Sequence, residues 1–66
     1  MTYLDGLRAS ESACHEVRAR ALKDRRDAMA SGDESGQSFA TTEALAAWAC
    51  VERIRALIAA TERVVA

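Results

Sequence analysis

The sequence predicts an all-α protein, an antiparallel two-helix hairpin that dimerises into a four-helix bundle. Three observations carry that prediction. The 66 residues contain no Pro and are rich in Ala, Arg, Glu and Leu, residue types that lose little side-chain freedom in a helix. The breaker residues gather in one stretch, Ala30-Ser31-Gly32-Asp33-Glu34-Ser35-Gly36-Gln37-Ser38, which reads as a connection. On either side of it the apolar residues recur every three or four positions. The chain is thus one domain, 1–66, with a helix over about 3–30, a loop over about 31–38 and a second helix over about 39–65.

The first helix is expected to open at Thr2, whose hydroxyl can cap the free amides of the first turn. Asp5, three residues on, suits the positive end of the helix dipole. It should stop at Gly32, the residue type that takes a left-handed conformation most cheaply. Tyr3, Leu7, Cys14, Val17, Ala21 and Ala28 form its apolar stripe, with Leu22 and Met29 beside it. The second helix is expected to open at Ser38 or Thr41, with Glu43 in its first turn. Its seam is Ala44, Ala47, Val51, Ile54, Ile58, Thr61 and Val65. Cys50, Leu57 and Val64 form a second row, and Trp48 flanks the other side. That apolar surface is wider than one partner helix can cover, so Trp48, Val51, Ile54, Leu57, Ile58 and Val64 are expected at a homodimer interface.

Size gives the same answer. A domain this small buries only about 60% of its unfolded surface. Fifteen of its thirty-three apolar residues are Ala, which leaves little for a self-sufficient core. A net charge of −1 argues against a general nucleic-acid binder, and no helix-turn-helix pattern supports specific DNA binding. No apolar run approaches the roughly 18 residues of a membrane span, and the amino terminus lacks the pattern of a secretory signal. A cytoplasmic location is expected, with Cys14 and Cys50 as reduced core thiols.

Chemistry is sparse. Cys14, His15 and Cys50 are the one group of metal-ligand types, but a structural zinc site wants four ligands at paired spacing. Adjacent helical residues also point about 100° apart. They are read as two core thiols and a solvent-facing imidazole. No metal, no cofactor and no catalytic residue is expected, and the chain is read as a non-enzyme. Arg18, Arg20, Lys23, Arg25 and Arg26 concentrate five of the nine basic residues on the distal half of the first helix. They read either as a solvated face or as a patch that recognises an acidic partner. Arg18, Arg25 and Arg26, with Trp48 as an anchor, are the candidate partner-binding residues.

Leu4-Asp5-Gly6-Leu7-Arg8, Asp33-Glu34-Ser35 with Ser38-Phe39, and Ala56-Leu57-Ile58-Ala59 resemble the phage-encoded quorum-sensing anti-activator proteins. The resemblance implies a dimerising helical hairpin that binds and blocks host bacterial proteins, such as a LuxR-type quorum-sensing activator or a pilus-assembly ATPase. It places the chain in the host cell cytoplasm if it is phage-encoded. The chain departs from the family at Ser12-Ala13-Cys14, which lacks aromatic bulk, and in the basic stretch Arg18 to Arg26. The functional expectation is a stoichiometric inhibitor that acts by occlusion. Two alternatives stand beside it: an oligomeric sponge for an anionic nucleotide or signalling molecule, and a structural subunit of a larger assembly.

Overall fold

The computed structural model describes residues 2–65, except for the side chain of Val65, so the seam position assigned to Val65 lies outside what is described. Two helices account for nearly all of it, α1 (Tyr3–Ser31) and α2 (Glu34–Val65). They lie antiparallel in a hairpin of 51 × 18 × 11 Å. None of the described helices is long and apolar enough to cross a membrane.

Helix α1 begins and ends where its sequence directs. The Thr2 hydroxyl accepts from the Asp5 amide at 3.1 Å, and the Asp5 carboxylate accepts from the Thr2 amide at 3.2 Å. That reciprocal capping box satisfies two amides that would otherwise lack partners. At the other end Gly32 turns left-handed, with φ 75° and ψ 21°. Its amide donates to the Met29 carbonyl at 3.3 Å, while the Asp33 amide reaches back to Ala28 at 2.8 Å. This Schellman pattern closes the last turn.

The connection differs from expectation. The sequence predicts a loop over 31–38 with a cap at Ser38 or Thr41, but α2 starts at Glu34 and only Gly32 and Asp33 separate the helices. Asp33 is the reason. Its carboxylate accepts from the Gly36 amide at 2.9 Å, and its carbonyl accepts from the Gln37 amide at 3.0 Å. Asp33 therefore closes α1 with its amide and caps α2 with its side chain. Gly36 makes room for that cap, because a Cβ there would collide with the Asp33 carboxylate. Thr41 and Thr42 donate to the carbonyls of Gln37 and Ser38 instead of capping.

Between the helices lies a thin seam of mostly small side chains. Leu7, Ala21 and Ala28 of α1 pack with Ala40, Ala44, Ala47 and Val51 of α2. Five of these seven are Ala, which lets the helices approach closely but buries far less apolar surface than Leu or Ile would. Among the described residues, Val51 is the one large side chain that is fully buried. It therefore has no surface left for a second chain, which corrects its expected place at a dimer interface. Ile54, Leu57 and Ile58 are half-buried, and Val64 is 85% exposed. The expected pair of core thiols is also corrected. Cys14 is half-buried and Cys50 is exposed, and neither is in a disulfide.

A candidate interaction groove of arginine and tryptophan

Helix periodicity sets out the two flanks of the hairpin. Trp48 and Leu57 are nine residues apart, which at about 100° per residue places them on opposite sides of α2. One flat partner cannot cover both, so Trp48 does not share a face with Leu57 and Val64 as the expected interface required.

On the Trp48 flank, spacings of i, i+4 and i+7 bring Arg18, Leu22 and Arg25 of α1 opposite Thr41, Leu45 and Trp48 of α2. Together with Ala44 they line an open groove of about 270 Å3. The Arg18 guanidinium carbon lies over the indole at 4.8 Å from the ring centroid, and that of Arg55 at 5.4 Å. His15 comes within 6.3 Å of the same ring with its plane tilted by 60°, so it is not the free solvent-facing imidazole expected from the sequence. Stacking of this kind occupies the flat face of a guanidinium and leaves its in-plane N–H donors free to bind elsewhere.

The electrostatics of the groove follow from which cations already have partners. Arg55 donates to Glu11 at 2.8 Å, Arg8 to Glu62 at 3.1 Å, and Lys23 lies 3.8 Å from Asp27. Arg18 and Arg25 have no carboxylate within ion-pair distance among the described residues. The Arg25 Nε is also shut off from solvent with no hydrogen-bond partner, an arrangement that costs about 1–3 kcal/mol or more for a charged group. Arg18 and Arg25 thus place two unmatched positive charges beside the one Trp of a chain whose net charge is −1.

Three of the four expected partner-binding residues, Arg18, Arg25 and Trp48, meet here. Arg26 does not, being exposed and turned away from the groove lining. Sequence reading missed His15, Thr41, Leu45 and Arg55. Trp48, Arg55 and Glu62 repeat at seven-residue intervals and could have marked this flank as one stripe, but pairing them with Glu11 and Arg18 needed the register of the hairpin.

The opposite flank has another character. Phe39, Cys50, Leu57 and Val64 share one side of α2 by their spacing of eleven, seven and seven. Phe39 is 71% exposed, and no ion pair crosses the hairpin on this side among the described residues. Near the turn, Asp24, Asp27 and Asp33 line a depression with Phe39. No group of His, Cys, Asp or Glu among the described residues is arranged to hold a metal ion. No family model, curated protein or solved structure matches the chain.

Proposed function

We propose that this protein is a non-enzymatic inhibitor that works as a homodimer, with the Leu57 flank joining the two copies and the arginine–tryptophan groove docking on a larger protein. The observation behind this reading is uncovered surface. The hairpin exposes 4794 Å2, whereas folded monomers of 7.1 kDa average about 4,100 Å2 by size scaling. The excess of about 700 Å2 is close to the about 800 Å2 that each partner buries in a stable interface.

Two α2 helices packed antiparallel at the level of residue 48 form a self-complementary seam. Phe39 of one copy then stands opposite Leu57 of the other, Ala46 opposite Cys50, and Glu43 opposite Arg53. Neither Glu43 nor Arg53 has an ion-pair partner within the hairpin among the described residues, so the pairing matches charge as well as bulk. The result is a four-helix bundle with its two grooves facing outward.

Sedimentation equilibrium tests the pairing, with twice the chain mass expected at micromolar concentration. Exchanging the charges sharpens the test. Glu43→Arg and Arg53→Glu should each weaken the dimer, and the double variant should recover it. For inhibition, the resemblance names the first targets. A purified LuxR-type activator and a pilus-assembly ATPase should be titrated with the protein, and inhibition should saturate at a fixed stoichiometry. A protein that stays monomeric and inhibits neither target removes this reading.

The second reading is the anionic-nucleotide sponge, and the groove favours it to the extent that two unmatched guanidinium groups sit beside an indole. Thermal-shift screening with cyclic and linear nucleotides discriminates the two. No shift at millimolar ligand retires the sponge.

A further inference from the structure

We infer that the groove between Arg18, Arg25 and Trp48 is an anchor site for an acidic side chain flanked by apolar residues, presented by a protein partner. The inference rests on the occlusion reading and supplies its recognition chemistry.

Two features of the groove define what it accepts. Its cationic side is Arg18, which stacks on Trp48 at 4.8 Å from the ring centroid, and Arg25. Neither makes a hydrogen bond or ion pair to a protein acceptor among the described residues, and the Arg25 Nε is left unpartnered. Elsewhere on this flank, Arg8 and Arg55 are already matched by Glu62 and Glu11, whereas the two groove arginines are open to an incoming carboxylate. A guanidinium fork is suited to a planar two-oxygen acceptor. The other side is apolar: Leu22, Ala44, Leu45 and the indole, with Leu45 66% exposed. Thr41 adds little, because its hydroxyl already donates to the Gln37 carbonyl at 2.9 Å. The fitting ligand therefore joins a carboxylate to a neighbouring aliphatic or aromatic group.

Shape favours a protein segment over a free metabolite. Small-molecule pockets enclose about 300–1,000 Å3 and bury most of their ligand. This groove holds about 270 Å3 and opens along the side of the hairpin. An anchor carried by a larger body gains the rest of its contact from the surrounding flank, as buried Trp and Arg hot spots do at protein interfaces.

Trp48, the one Trp in the chain, is its own reporter. The full-length protein is titrated with an acetylated, amidated tetrapeptide of sequence Leu-Asp-Glu-Leu, its neutral counterpart Leu-Asn-Gln-Leu, and adenosine monophosphate, following indole fluorescence. The acidic peptide should change the emission saturably, and added salt should weaken it. The neutral peptide should bind at least about ten-fold more weakly, the loss of one charge-assisted pair. Arg25→Gln should cost about the same factor, whereas Arg26→Gln, outside the groove, should leave the titration unchanged. Leu45→Glu, at a position 66% exposed, should abolish the response by placing a resident carboxylate beside the arginines. Equal response to both peptides, response to neither, or tighter binding of adenosine monophosphate than of the acidic peptide overturns the inference. A target complex that forms undiminished with Arg25→Gln also overturns it while leaving the occlusion reading intact. Acidic-peptide selectivity without any inhibited target supports the groove chemistry and counts against occlusion.

Discussion

The two flanks of this hairpin are built from the same two helices, yet they leave different things unfinished. The Trp48 flank is charged and largely matched within itself: Arg8 pairs with Glu62, and Arg55 with Glu11. Arg18 and Arg25 have no such partner among the described residues, and they lie beside an indole that both helices help to hold. The Leu57 flank carries no ion pair across the hairpin among the described residues and presents Phe39, Cys50 and Val64 openly. Non-directional apolar area drives association, whereas placed charges select the partner and suppress wrong ones. Surface that is broad and greasy suits a partner that is always present, such as a second copy. A localised cationic groove suits a partner that must be recognised. The alanine-rich seam explains why both flanks count, since two helices joined by five buried Ala, one Leu and one Val are marginal alone.

Leu57→Glu is expected to have the largest effect. It puts a charge into the proposed dimer seam, where burial without a partner costs several kcal/mol. The dimer should dissociate by sedimentation, and helix content by circular dichroism should fall at micromolar concentration because folding and pairing are linked. A fully helical single copy carrying this substitution would show that the Leu57 flank is ordinary exposed surface. The matched change on the other flank, Arg25→Gln, should leave the mass untouched.

Val51→Ala comes next and serves both flanks equally. It empties part of the seam at the fully buried Val51 and should lower stability by about 2 kcal/mol, read from urea unfolding at fixed protein concentration. Asp33→Ala removes the side-chain cap of α2, leaves the backbone amide that closes α1, and should cost about 1 kcal/mol. Its effect should be felt near the turn, as faster amide exchange at Gly36 and Gln37, with the Trp48 groove unaltered.

That turn also shows where sequence and structure part. The helical class, the Thr2 box, the Gly32 stop and the seam positions Ala44, Ala47 and Val51 were legible because each follows from spacing or from one residue's local chemistry. The start of α2 was not. Ser35, Gly36 and Ser38 are weak helix formers, so composition argued for a loop, but Asp33 and Gly36 together make a cap strong enough to begin the helix in front of them. Once the connection shrinks to two residues, the register across the hairpin is set, and with it the meeting of Arg18 with Trp48 and of Glu11 with Arg55. The groove was therefore legible as a residue set and not as a place. The sequence puts Cys50, Leu57 and Val64 on one row of α2 and Trp48 on the other side, yet assigns both to one interface, although nine residues at about 100° each set Trp48 and Leu57 on opposite sides.

The smallest expected effect separates the flanks most cleanly. Arg18→Gln removes one guanidinium from the indole while Arg55 remains over it, and an exposed cation–π contact contributes only about 0.5–1 kcal/mol. For a domain of this size that corresponds to a fall in Tm of at most several degrees, with the dimer mass unchanged. Trp48 emission should shift, because the ring loses a neighbour that shields it from water. Binding of an acidic partner should suffer more than stability does, since the lost group is one of the groove's two unmatched cations and makes no hydrogen bond or ion pair to the protein among the described residues. If stability and binding fall by the same factor, Arg18 is a packing residue that happens to be charged. If binding falls by ten-fold or more with Tm nearly constant, the charge is there to be met from outside, and the two flanks do the two different jobs their chemistry assigns them.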